Sequence, residues 1–141
     1  MKTFLAGISL CLLLPLVCNA QQNKTADLSA VRATVRDYIE AYYTGDARRM
    51  EQTLHPHYLK HVIHGTIPMR EKTGLQMVQD VRSAGPTDLP KAEQVEDISV
   101  LDVSGEIASA KLVAAYWVDY ITLSKSSGEW KILSVVQRIE N

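Results

Sequence analysis

"SGEIASAKLVAAYWVDYITLSKSSGEWKI", residues 104–132, decides the fold class of this chain. Apolar and β-branched residues alternate in it with small or polar ones at a period of two, the spacing of strands with one buried face. Ser104-Gly105 and Lys125-Ser126-Ser127-Gly128 punctuate it as hairpin turns. "VEDISVLDV" (95–103) upstream has the same character, and so does "EWKILSVVQRI" (129–139) downstream. Strands are expected over 95–103, 106–118, 119–124 and 129–139, joined as an antiparallel meander.

Ahead of Pro90 the period is helical. Leu28, Val31, Val35, Tyr38, Ile39 and Tyr42 form one apolar stripe, with Arg32, Arg36, Asp37 and Glu40 mostly on other faces. Gly45 stops this helix, and Asp46 caps a short second one carrying Ala47, Met50 and Leu54. Thr73 and Gln76 form a capping-box pattern for a third helix presenting Leu75, Val78 and Val81, which "AGP" (84–86) ends. Three helices gathered ahead of a meander predict an α+β domain over 27–141, with the helices covering one face of a curved antiparallel sheet. Residues 21–26 are expected to be a flexible tail.

The first twenty residues are expected to be a secretory signal peptide. Lys2 precedes an apolar run from Phe4 to Val17, and Cys18-Asn19-Ala20 is a small-x-small site with the cut before Gln21. That run is shorter than the ~20 residues a membrane-spanning helix needs. The product is expected to be periplasmic or secreted. Cleavage removes both cysteines, Cys11 and Cys18, so the mature chain has no disulfide or thiolate metal site. It also removes Lys2, leaving 14 of the 15 basic residues against 16 acidic ones. That balance is no footprint for nucleic acid or an anionic membrane, and neither is expected as a partner.

"VRDYIEAYYTGDARRMEQTLHP" (35–56), followed by residues 104–132, resembles the nuclear-transport-factor-2-like superfamily. Within it the similarity is greatest to the group described as putative lumazine-binding, near the SnoaL-like proteins. The resemblance implies three N-terminal helices on a strongly curved antiparallel sheet, forming a cone with an internal cavity. Members include isomerases, cyclases, dehydratases and catalytically silent binding or dimerisation modules, and the outer sheet face implies a homodimer. Matched to the steroid isomerases, Tyr38 stands at the oxyanion-binding tyrosine, seven residues before Gly45-Asp46, and Asp119 stands near the late-strand acid. The position of the proton-shuttling carboxylate is Val62, so that reaction does not carry over.

All four histidines lie in "LHPHYLKHVIH" (54–64). In an extended segment His55, His57 and His61 share a face that His64 does not. No Asp or Glu lies between Gln52 and Arg70 to complete a coordination sphere, so no metal is expected. His55 reads as a local helix-ending or loop residue, and His57 and His64 as solvent-facing. His61, beside the missing carboxylate, is a candidate base. Tyr42, Tyr116 and Trp117 are candidates to line a flat-ligand pocket with Tyr38, His61 and Asp119. Tyr42 and Trp130 also read as core, and Tyr38 reads equally as a core tyrosine with a backbone partner. Asp119 is expected to lack a cationic partner and to have a raised pKa. The leading expectation is an exported module binding a small apolar or aromatic ligand, without a cofactor. The alternatives are an enolate-stabilising enzyme using Tyr38, Asp119 and His61, and a dimerisation module without a ligand.

Overall fold

A computed structural model describes residues 14–140, with side chains from Gln21 onward. The expected leader, 1–20, lies outside the described residues except for the helical backbone of 14–20. Helix α1 (Leu14–Thr44) is followed by α2 (Ala47–Thr53) and a hairpin of β1 (Leu54–His64) and β2 (Ile67–Thr73). Then come α3 (Gly74–Ala84), a 3-10 turn at Lys91–Glu93, and strands β3 (Asp97–Ser104), β4 (Ile107–Val113), β5 (Trp117–Ser126) and β6 (Glu129–Ile139). The six strands form one sheet in the order β2-β1-β6-β5-β4-β3. Every neighbouring pair is antiparallel except β1 with β6, which is parallel.

Helix α1 lies on the concave face of this sheet. Its stripe buries Val31, Val35, Tyr38 and Ile39 against Leu112, Ile121, Leu123, Ile132 and Val135. Shifts of register interrupt the ladders at Leu54/Leu59, Val62/His64, Val100/Asp102 and Thr122/Leu123. Irregularities of this kind bend a strand and increase its twist, which curves the sheet around the helix. Two polar clasps fix α1 at its flanks. Asp27 accepts from Lys125 Nζ at 2.7 Å and Trp130 Nε1 at 3.1 Å, and these donors hold its carboxyl below the usual range. Arg49 of α2 reaches back to Asp37 and Glu40.

The expected helix signals are present. The Asp46 side chain accepts from the Arg49 amide at 2.9 Å, and Thr73 and Gln76 complete a reciprocal capping box. Three expectations are corrected. Residues 21–26 continue α1 as an exposed helical segment instead of a tail, since no Gly or Pro interrupts them. The helices do not all precede the sheet, because β1 and β2 intervene between α2 and α3. Their signal is blurred: the inward residues of β1 are Tyr58, Lys60 and Val62, while apolar Ile63 points outward. Lastly, the expected strand 106–118 breaks at Ala114, so Trp117 and Val118 begin β5 together with Asp119.

Gly45 closes the α1–α2 corner with φ +69°. A Cβ there would stand 2.3 Å from the carbonyl carbon of Gly85 and 2.5 Å from the Pro86 nitrogen, where the Thr87 amide bonds the Tyr43 carbonyl. Both obstacles are backbone, so neither can swing aside. Gly105 also has a positive φ, +58°, but open space where its Cβ would go. Gly105→Ala is therefore expected to cost about 1–3 kcal/mol of unfolding free energy for the backbone conformation alone. Gly45→Ala should cost distinctly more, and urea unfolding of the two variants checks the difference.

Candidate ligand cavity

A lysine at an inward position of β1 organises the interior. Tyr58, Lys60 and Val62 alternate inward along the strand, and Lys60 is only 4 % exposed. Its Nζ donates to the Tyr38 hydroxyl of α1 at 2.9 Å and stands 3.8 Å from Asp119 Oδ2 of β5. Asp119 is fully buried; the same oxygen accepts from Trp117 Nε1 at 3.2 Å. Its other oxygen, Oδ1, and the buried hydroxyl of Tyr58 have no hydrogen bond of normal geometry among the described residues.

The electrostatics follow from burial. Desolvation raises the Asp119 pKa, against the opposing pull of Lys60, the Trp117 N–H and Gln137 directly across the ladder. Desolvation lowers the Lys60 pKa, with Asp119 pulling the other way and Lys72 adding to the depression. Burial pushes Tyr38 well above the ordinary phenol value, helped by Tyr58 and Asp119. Tyr38 therefore stays protonated and accepts from the amine, with the Tyr58 hydroxyl beside it.

In front of this cluster opens a cavity of about 310 Å³. Tyr38 and Lys60 line it on the inside, with Tyr42, Met77, Tyr116, Trp117, Val62 and Ile139 as apolar and aromatic wall. Tyr42 and Trp117 meet edge to face, with ring centroids 5.1 Å apart. Gln137, Arg70 and Lys72 supply its remaining polar groups.

The structure thus brings together Tyr38, Tyr42, Tyr116 and Trp117 at one cavity, with Asp119 behind Lys60. It does not bring His61 there. His61 lies on the opposite face of β1, with Nε2 3.1 Å from Glu71 Oε1 of β2. As a base for a ligand in the cavity it is ruled out by the alternation of the strand. His55 Nδ1 accepts from the His57 amide, and His57 is exposed. His64, expected to face solvent, is half-buried and engaged. Among the described residues no three His, Cys, Asp or Glu side chains converge on a point that would hold a metal ion. Trp130 is core as expected; Tyr42 is instead 40 % exposed at the cavity rim, and its neighbour Tyr43 is buried, donating to the Val95 carbonyl at 2.8 Å.

Asp119 was expected to have no cation beside it. Lys60 corrects that, and it is among the cavity residues that sequence reasoning missed, with Arg70, Lys72 and Gln137. The available signal for Lys60 was its parity with Tyr58 and Val62, which only matters once 54–64 is known to be a strand.

A curved sheet wrapped on three helices around such a cavity defines a nuclear-transport-factor-2-like cone protein. Solved structures share the fold at low identity. A protein of unknown function from Silicibacter pomeroyi is 18 % identical, with a TM-score of 0.69 over 82 % of this chain and 98 % of that one. One from Shewanella baltica is 14 % identical, with a TM-score of 0.69 over 83 % and 96 %. A ketosteroid isomerase-like protein from Erwinia carotovora atroseptica is 14 % identical, with a TM-score of 0.58 over 82 % and 97 %. No curated protein matches the chain. The chain belongs to the family described as "Putative lumazine-binding", which matches residues 26–137.

Removing one partner of a buried ion pair strands the other. Asp119→Asn is expected to destabilise the fold by roughly 3 kcal/mol near neutral pH. Without the carboxylate, the folded-state pKa of Lys60 falls further below its unfolded value. The unfolded chain then binds more protons across that window, so stability rises with pH there. The deficit should shrink as pH rises from neutral toward the ordinary lysine pKa, and adding Lys60→Met should recover part of it. Urea unfolding across that range measures both; a deficit that grows with pH contradicts the pairing.

Proposed function

We propose that this chain is an exported protein that binds a small, largely apolar or aromatic ligand in the cone, and that it works as a homodimer. The observation that carries the binding role is the 310 Å³ cavity with aromatic walls and a hydrogen-bonding inner end formed by Tyr38 and Lys60. Sites for small ligands combine these features: mostly apolar lining and a few fixed polar groups that orient the guest. Membership of a family described as putative lumazine-binding supports the same reading. Enolate chemistry has less support, because His61 faces away from the cavity and Val62 stands where a carboxylate would be needed.

Export rests on the leader pattern of residues 1–20 and is compatible with α1, in which Val31 is the first buried residue from Gln21 onward, well beyond the proposed cut. Self-association is proposed through the outer sheet face. There Val136 and Tyr120 stand side by side in register, 44 % and 55 % exposed.

Native mass spectrometry of protein purified from its producing host tests all three elements. The expected species is a dimer of chains beginning at Gln21, each retaining one small molecule. Ile139→Trp, which places a large ring in the cavity wall, should release that molecule while leaving the dimer. Retention of the molecule by Ile139→Trp would place the ligand elsewhere.

A further inference from the structure

The cavity wall formed by β1 and β2 carries an unusual concentration of positive charge. Lys60 stands directly across the ladder from Lys72, and Val62 stands directly across from Arg70. Residues opposed in this way share a sheet face, so Lys60, Lys72 and Arg70 form one cluster, and all three line the cavity. Like charges placed directly opposite one another destabilise a strand pair, so local stability does not account for the arrangement. Nor do the neighbouring acids neutralise it fully. Lys72 is held by Asp80 of α3 at 2.6 Å, and Lys60 faces Asp119 at 3.8 Å. Glu71 points to the other face of the hairpin, where it meets His61. No carboxylate is among the described residues that line the cavity, and Arg70 has no ion-pair partner among the described residues.

We infer that the ligand is an aromatic or apolar anion, a ring system bearing a carboxylate or a comparable acidic group. The ring lies against Tyr42, Tyr116 and Trp117, and the acidic group lies on the β1–β2 wall, where Arg70 is the principal contact. A guanidinium presents a planar fork of N–H donors that matches two oxygens of one anion. Lys60 sits deeper, where desolvation strengthens its attraction for the same charge. The inference deepens the binding reading proposed above and depends on it.

The test uses a pair of fluorescent probes with the same rings and different charge. 1-Anilinonaphthalene-8-sulfonate is anionic, and N-phenyl-1-naphthylamine lacks only the sulfonate. Titrated into the purified chain, the anion is expected to bind at least about tenfold more tightly. Arg70→Gln should narrow that ratio, and Arg70→Lys should restore part of it. Arg70 is exposed on an edge strand, so folding should survive either change, and thermal unfolding checks this. Equal affinity for the two probes, or a ratio unmoved by Arg70→Gln, overturns the charge inference and leaves the cavity reading standing. Failure of both probes to bind, or binding undiminished by Ile139→Trp, overturns the cavity reading together with it.

Discussion

The parallel pairing of β1 with β6 is the constraint on which the interior depends. Leaving α2 at Leu54, the chain runs beside its own last strand, with Lys60 in register with Val135 and Val62 with Gln137. Parallel neighbours need a long crossover, and here residues 65–128, carrying β2, α3 and β3 to β5, serve as one. The pairing inserts β1 between the meander and the edge strand β2. It thereby sets an amine from the middle of the sequence against a phenol of α1 and a carboxylate of β5.

That juxtaposition carries an energetic tension. Burial disfavours the charge on both Lys60 and Asp119, and each partly relieves the other. The amine and carboxylate are 3.8 Å apart, beyond a good hydrogen bond, while the amine donates to Tyr38 at 2.9 Å. A buried pair of this kind contributes little net stability compared with a well-packed apolar substitute. What it provides is a fixed, polar inner end in an otherwise apolar cone. The walls gain from the same geometry: Trp117 donates to Asp119 through its indole N–H while its ring lines the cavity and packs on Tyr42. One side chain thus joins the buried acid to the ligand surface.

Around this centre the rest of the fold is ordinary packing. The α1 stripe fills the concave side, the caps at Asp46 and Thr73 start the other two helices, and Gly45 permits the close approach of Gly85 and Pro86. The low identity to the solved cones shows how much latitude such packing allows. Apolar positions of suitable volume suffice for a core, whereas a polar cluster needs particular atoms in particular places.

Local interactions left their mark on the sequence and were readable there. The α1 period, the Asp46 cap, the Thr73/Gln76 box and the two late hairpin turns each involve residues a few positions apart. The class of fold followed, and so did the inclusion of Tyr38, Tyr42, Tyr116, Trp117 and Asp119 among the site candidates. The β1–β2 hairpin was not legible, because a lysine occupies one inward position of β1 and an isoleucine one outward position, which obscures the alternation. Whether His61 or Lys60 faces the cavity turns on strand parity. The partner of Asp119 turns on a pairing between segments far apart in the chain. Such contacts exist only after the sheet has closed, so tertiary structure alone decided which charged groups meet inside the cone.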